Sequence, residues 1–272
     1  MGLDDFPAPR SALYLPASNA RAIEKALGLP ADLIMLDLED AVKPEAKADA
    51  RAAAYAAANQ GFAGRLCAIR INGPGTKWHD DDIAAVAASS ADLFVLPKVE
   101  NAEVAAAIAA QIGKPMLAMV ETPRGVLNAA GIAAAPGTRG LIAGTNDLAN
   151  ELHLPSAGHR AGMMLSLQMI VLAARAGGIW ALDGVFNDLA SSGALAEQCA
   201  EGRALGFDGK TLIHPNQIEL ANTAFSPSDA ELEDARLLIA AASGGAERFR
   251  DRMIEKMHVE MAKRLLARVK RL

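Results

Sequence analysis

LIMLDLEDAVKPEAK, residues 33–47, sets a problem that the rest of the chain has to answer. Leu33 to Leu36 reads as a buried strand, and then Asp37, Glu39 and Asp40 arrive within four residues. Side chains alternate along a strand, so Asp37 and Glu39 share one face while Leu36 and Leu38 share the other. Carboxylates at the end of a buried strand are costly unless they are solvated, paired, hydrogen-bonded or bound to a metal. A solvated strand mouth and a working site both meet that demand. The surrounding sequence has to separate the two.

On either side of this stretch the chain alternates short apolar runs with longer helical ones. The runs are ALYLPA (12–17), LIMLDLE (33–39), LCAIRIN (66–72), LFVLPKV (93–99), PMLAMVE (115–121), GLIAGT (140–145), IWALDGVF (179–186) and GKTLIHP (209–215). Helix starts are readable between them: Pro44 opens the second helix, Asn101 precedes the fourth, and Thr122 caps the fifth with Pro123 in its first turn. Eight strand–helix units with near-continuously apolar strands predict parallel strands buried on both faces. The economical architecture is a (β/α)8 TIM barrel over residues 1–225, followed by a C-terminal helical tail or lid over 226–272. An open doubly wound sheet is the alternative, but no GxGxxG follows the first strand.

Composition agrees with this. A chain of 272 residues suits a barrel of about 250, and 51% apolar residues are enough for a large core. A net charge of −5 gives no reason to expect nucleic acid or an anionic membrane as partner. No apolar run reaches the ~18 residues that span a bilayer, and MGLDDFPAPR lacks the apolar core of a signal peptide. Cys67 and Cys199 form no CxxC, so a reduced, cytoplasmic setting is the simpler expectation.

In a barrel the C-terminal strand ends share one mouth, where barrel enzymes place their chemistry. That mouth would collect Asp37, Glu39 and Asp40, then Arg70 with Asn72, Lys98 with Glu100, Glu121, Asn146 with Asp147, Asp183, and His214. Glu121 and Asp147 follow neighbouring strands and offer only oxygen. Each alone suits a salt bridge or helix cap, whereas the pair, with room for water and substrate, suits Mg²⁺. Zinc fits poorly, because no His or Cys pair has ligand spacing. Arg70 can pair with Asp37 or Glu39, clamp a substrate carboxylate, or donate to an oxyanion. Lys98 could form a Schiff base, but an acidic mouth favours a protonated, ion-paired lysine. His214 reads as a hydrogen-bonded rim residue, with Asp183 orienting it or Arg70.

The series RSALYLPAS, LDLEDAV, RIN, LPKVE, ETPRGVLNA, GTNDLA, GFDGKTLIHPNQI and AFSPS, spanning about residues 10–230, closely resembles the citrate lyase β-subunit-like group of the HpcH/HpaI aldolase and malyl-CoA lyase superfamily. The resemblance implies a Mg²⁺-dependent barrel enzyme that cleaves or forms a 3-hydroxy-3-carboxyacyl thioester, with a 2-oxo acid and an acyl-CoA (or acyl carrier protein) thioester as partners. It implies Glu121 and Asp147 as metal ligands, Arg70 on the 2-oxo acid and developing alkoxide, and Arg10 beside the thioester or its CoA tail. The acids of LDLEDAV would surround the metal's waters and Arg70. It also implies a homo-oligomer, trimer or hexamer, in which the tail serves a neighbouring subunit. Here the sequence departs from the pattern: the usual M-[IV]-D-x-P becomes MIEKM, with Glu255 for the Asp and Met257 for the Pro. An aldolase on free 2-oxo acids, a malate-synthase-like or thioester-hydrolysing activity, and a non-catalytic accessory subunit are the rival readings.

Overall fold

A computed structural model describes residues 6–155 and 159–269. Eight parallel strands close into a barrel: β1 (Ser11–Pro16), β2 (Leu33–Asp37), β3 (Leu66–Arg70), β4 (Leu93–Leu96), β5 (Met116–Val120), β6 (Thr138–Ala143), β7 (Trp180–Asp183) and β8 (Gly209–Leu212). Each pairs with its sequence neighbour, and β8 returns to β1 with Lys210 opposite Ser11. β2 to β5 are buried at every position, so each strand is covered by side chains in the lumen and by helices outside. Burying one Leu, Ile or Val side chain contributes roughly 1.5–3 kcal/mol, which makes these runs the main source of the barrel's stability.

The helices are α1 (Ala20–Ala26), α2 (Lys47–Gln60), α3 (His79–Ala88), α4 (Ala102–Ile112), α5 (Pro123–Leu127), α6 (Ala129–Ala134), α7 (Thr145–Glu151), α8 (His159–Gly162), α9 (Met164–Gly177), α10 (Ser192–Leu205) and α11 (Ile218–Phe225). The helix starts follow the capping residues. Asn101 accepts the amide of Val104 and Thr122 that of Gly125, while Pro44 opens a 3-10 turn that leads into α2. Every strand stops one to three residues before its apolar run does, and for two of them the local cause is plain. β4 ends at Leu96 because Pro97 follows and Lys98 is left-handed, with φ 51°. β7 ends at Asp183, where the chain passes so close to α7 that a Cβ on Gly184 would lie 2.4 Å from Thr145 Oγ1. Among the described residues no helix is long and apolar enough to cross a membrane.

The chain divides into two compact units, one of residues 8–223 and one that gathers 224–269 with Phe6 and Pro7. The second unit is not the purely helical tail that the sequence suggests. Its α12 (Asp229–Ala241), started by the reciprocal Ser228–Glu231 capping box, is followed by an antiparallel hairpin, β9 (Glu247–Phe249) and β10 (Arg252–Ile254), and then by α13 (Lys256–Val269). The turn needs Arg250 left-handed at φ 52°, and Arg250 and Arg252 both pair with Asp234. Ile254, Ala262 and Phe249 pack with Ala235 and Leu238 of α12, joined by Val259, Leu265 and Leu266. The tail's apolar residues therefore form two faces. Met253, Met257 and Met261, spaced by four, remain exposed.

Candidate active site

The acids that open the problem are held by one cation. Asp37 and Arg70 are register partners on β2 and β3, and the guanidinium meets the carboxylate in a two-point fork, Nε to Oδ1 at 2.6 Å and Nη2 to Oδ2 at 2.7 Å. Asp37 also accepts the amides of Glu39 and Ala41, which bends the chain back after the strand. Glu39 Oε2 lies 2.8 Å from Arg70 Nη1 as an ion pair, but off the N–H direction, so that oxygen has no aligned donor. Burial pushes the Glu39 carboxyl up to about 8 against the pull of Arg70, with Asp40, Glu121 and Asp37 adding to the rise. Burial opposes the charge on Arg70 as well, but the Asp37 fork and surrounding negative charge hold it firmly protonated. Asp40 is exposed, with one oxygen 3.9 Å from Arg70 Nη1.

Behind this turn sits a polar support that sequence reasoning missed. The buried Lys47 donates from Nζ to the carbonyls of Leu38 and Glu39, each at 2.8 Å, and to Asn72 Oδ1 at 2.7 Å. Asn72 in turn donates to Asp82 Oδ2 at 2.6 Å, and Arg51 pairs with the other oxygen of Asp82. The buried groups compensate one another and fix the turn that carries Glu39.

Glu121 follows β5 directly and is buried. Its Oε1 accepts the amide of Lys98 at 2.7 Å, a bond that the left-handed Lys98 backbone delivers. Its other side needs the bare backbone of Gly144, where a Cβ would stand 2.3 Å from Glu121 Cβ and 2.4 Å from Oε2. Asp147 stands in the first turn of α7 with Oδ2 3.3 Å from Lys98 Nζ, and that ammonium also reaches Glu39 at 3.9 Å. Burial lowers and the two carboxylates raise the Lys98 pKa, with a net rise, which leaves a protonated ion-pair partner rather than a free nucleophilic amine. Burial pushes Glu121 up to about 7; the Lys98 amide opposes this and the Asp147 charge adds to it.

Asp37, Asp40, Arg70, Glu121 and Asp147 line one cavity of about 320 Å³ together with Tyr14 and Met119, and Glu39 and Lys98 pair with these lining residues. Five carboxylates (Asp37, Glu39, Asp40, Glu121, Asp147) stand against two cations, Arg70 and Lys98, around it. That surplus, and the upward shifts of Glu39 and Glu121, are what a dication would neutralise. Among the described residues no group of three His, Cys, Asp or Glu could hold an ion alone. A pair of carboxylates with open positions for water and substrate suits Mg²⁺, which keeps much of its hydration and prefers such sparse sites. Because the ligand must be ionised, protons compete with metal. The apparent Mg²⁺ affinity, measured by titration calorimetry, is expected to rise by about tenfold per pH unit below pH 7 and to level off above it, where Glu121 is ionised. A flat profile between pH 5.5 and 8 contradicts Glu121 as a ligand.

Two other residues, Arg10 and Asp183, fall differently from their sequence expectations, and His214 falls where the sequence puts it. Arg10 precedes β1 and forks onto Asp32, which precedes β2, with Nε and Nη2 each 2.8 Å from a carboxylate oxygen. In a parallel barrel both lie at the end opposite the mouth, so Arg10 is not beside a thioester in this cavity. Asp183 orients neither His214 nor Arg70. It is fully buried and takes Lys210 Nζ at 3.0 Å and a fork from Arg160 of α8 at 3.1 Å. The reason is side-chain facing. Thr211 lines the cavity, so its neighbour Lys210 points outward to the helices, and Asp183, the register partner of Lys210, points the same way. His214 is a rim residue whose Nδ1 accepts the amide of Asn216 at 3.2 Å. Asn146 stands at the rim in a reciprocal pair with Asn187.

Tyr14 and Met119 were missed. The signal for them is period two: Tyr14 pairs with Met35 as Pro16 pairs with Asp37, so Tyr14 shares the face of Asp37. Arg70, Val95 and Leu117 are register partners in turn, which puts Met119 on that face too.

A family model described as HpcH/HpaI aldolase/citrate lyase matches residues 10–215, and one described as a C–C bond lyase of the TIM-barrel fold matches 167–271. A (3S)-malyl-CoA thioesterase of Cereibacter sphaeroides is 44% identical over 268 residues, covering 95% of this chain and 94% of the relative. The citrate lyase subunit beta of Escherichia coli is 31% identical over 251 residues, covering 87% and 83%. Among solved structures, CitE of Mycobacterium tuberculosis in complex with magnesium, acetoacetate and coenzyme A superposes with a TM-score of 0.84 at 33% identity, covering 97% of this chain and 98% of that one.

Proposed function

The chain belongs to the HpcH/HpaI aldolase/citrate lyase family, and on that premise we propose that it is a Mg²⁺-dependent carbon–carbon lyase acting on a 3-hydroxy-3-carboxyacyl-CoA of the citryl, malyl or citramalyl type. The products are a 2-oxo acid and a shorter acyl-CoA, and the same site runs the condensation in reverse. One observation carries the reading: the Glu121 and Asp147 carboxylates and the forked Arg70 guanidinium line a single cavity.

In this reading Glu121 and Asp147 hold the metal, which supplies Lewis acidity to the substrate's carboxylate and hydroxyl oxygens when bound. Arg70, fixed by Asp37, donates to the hydroxyl oxygen, which becomes a carbonyl oxygen as its proton passes to a carboxylate of the cavity. The C–C bonding electrons pass to the thioester α-carbon, which then takes a proton. Asp37, Glu39 and Asp40 keep Arg70 in place and would accept hydrogen bonds from water around a bound metal. Lys98 anchors Glu121 through its amide and Asp147 through its ammonium.

The proton donor in this reading is Glu255 of a neighbouring chain in a homo-oligomer, a trimer or hexamer. Glu255 is exposed, with its amide donating to His258 Nδ1 at the start of α13, and its carboxylate pairs with none of the described residues. Mixing inactive Glu255→Ala chains with inactive Glu121→Gln chains, after verified subunit exchange, is expected to restore part of the turnover. Mixtures as inactive as both parents contradict a shared site, and full activity of Glu255→Ala alone removes Glu255 from the mechanism.

The similarity to a malyl-CoA thioesterase favours a second reading, in which water attacks the thioester carbonyl and the C–C bond survives. Product analysis separates the two. Malyl-CoA incubated with enzyme and Mg²⁺ is expected to give a 2-oxo acid and an acyl-CoA, with none formed in EDTA. Free hydroxy acid with free CoA thiol supports hydrolysis. Neither product across a panel of 3-hydroxyacyl-CoA substrates overturns both.

A further inference from the structure

The cavity holds a donor that the mechanism above leaves unused. The Tyr14 ring lies against the Arg70 guanidinium, 4.8 Å from Cζ to the ring centroid. Its hydroxyl donates to Met119 Sδ at 3.5 Å, and Arg70 Nη1, whose contact with Glu39 Oε2 is an ion pair off the N–H direction, reaches the same sulfur at 3.8 Å. Two strong donors thus converge on a thioether, among the weakest acceptors in proteins. Buried phenol hydroxyls ordinarily find an oxygen or nitrogen partner. Here both donors line the 320 Å³ cavity, beside the Glu121 carboxylate. Met119 is unbranched and can swing aside, which strand-fixed backbone groups cannot do.

We propose that the Tyr14 hydroxyl and Arg70 Nη1 form a two-donor cradle for one substrate oxygen, the 3-hydroxy (or 2-oxo) oxygen that carries negative charge as the C–C bond breaks, with Met119 Sδ giving way to it. This rests on the lyase reading of the cavity. Tyr14 gives a hydrogen bond and transfers no proton. Burial holds its phenol above the usual range, so the O–H persists across neutral pH. The guanidinium lies over the Tyr14 ring while Asp37 holds its Nε and Nη2, which leaves Nη1 and the hydroxyl at the same wall of the cavity.

The test is Tyr14→Phe in the full chain, which removes the hydroxyl and keeps the ring on Arg70. Turnover of the 3-hydroxyacyl-CoA is expected to fall by about 100-fold, mostly in kcat, on the scale of one lost oxyanion donor. Oxaloacetate affinity in the presence of Mg²⁺, by calorimetry, is expected to weaken by about tenfold. Mg²⁺ affinity and the thermal midpoint should not move. Unchanged kcat and unchanged oxaloacetate affinity overturn the cradle, as does a loss accompanied by weaker Mg²⁺ binding or a lower midpoint. A second measurement uses the wild type alone. The chain has two tyrosines, and the ¹³Cζ signal of Tyr14 must shift on adding oxaloacetate; no shift overturns the proposal. If wild type lacks lyase turnover but oxaloacetate affinity still depends on the hydroxyl, the lyase reading fails and the cradle stands. If wild type neither turns over nor binds oxaloacetate, both fail.

Discussion

Glu121→Gln is expected to abolish Mg²⁺-dependent turnover, by roughly 10³-fold or more, while leaving the barrel folded. The exchange removes one ligand charge and almost no volume. Gln can still accept the Lys98 amide through its carbonyl oxygen, so the bond that seats residue 121 survives. Losing even an outer hydrogen bond to a metal ligand costs about 10–100-fold in affinity, and losing the ligand's charge costs more. The stability effect has the opposite sign. Burial raises the Glu121 pKa from 4.5 to about 7, so the folded metal-free protein binds more protons there than the unfolded chain does. Stability from this group is therefore full below about pH 4.5 and is lost as pH rises through about 7. At pH 8 without metal the Gln variant should melt no lower than wild type, and should gain nothing from added Mg²⁺. Asp147→Asn is expected to lose turnover as well, with a smaller stability change because its side chain is 36% exposed. Full activity with retained Mg²⁺ affinity in either variant removes that residue from the metal site.

Arg70→Lys is expected to lower kcat/KM by roughly 10²-fold or more, since a point charge replaces a planar fork. Lysine cannot bridge both oxygens of Asp37, reach Glu39 and stack on Tyr14 together, as Arg70 does. Asp37 is buried and would lose half of that fork, so stability should fall too, by about 1–3 kcal/mol. The two losses can be told apart. If urea unfolding shows the stability loss while turnover stays near normal, Arg70 is a structural partner of the acids and nothing more. Loss of turnover at temperatures where the variant is fully folded assigns it to the reaction.

Much of the fold is legible because each strand is an apolar run closed by a turn or capping residue. Thr122 with Pro123 and Asn101 cap the helices that the sequence marks, and the eight runs become eight strands in order. The hairpin in the second unit was illegible because its strands are three residues each and sit among arginines, with no alternation to mark them. The Lys47–Asn72–Asp82 support was illegible for another reason. It is assembled from α2, the end of β3 and α3, and no local spacing links a helix lysine to two carbonyls behind a strand.

By itself the sequence determined the order of strand–helix units and which acids follow strand ends, since those depend on neighbours along the chain. Glu121 after β5 and Asp147 after β6 needed nothing more. Only the tertiary structure decided which way each side chain faces. Barrel strands are apolar on both sides, so no alternation distinguishes lumen from helix layer, and facing is fixed only when β8 closes on β1 and sets the register. That closure turns Asp183 outward to Lys210 and Arg160 and turns Tyr14, Asp37 and Arg70 inward to one cavity.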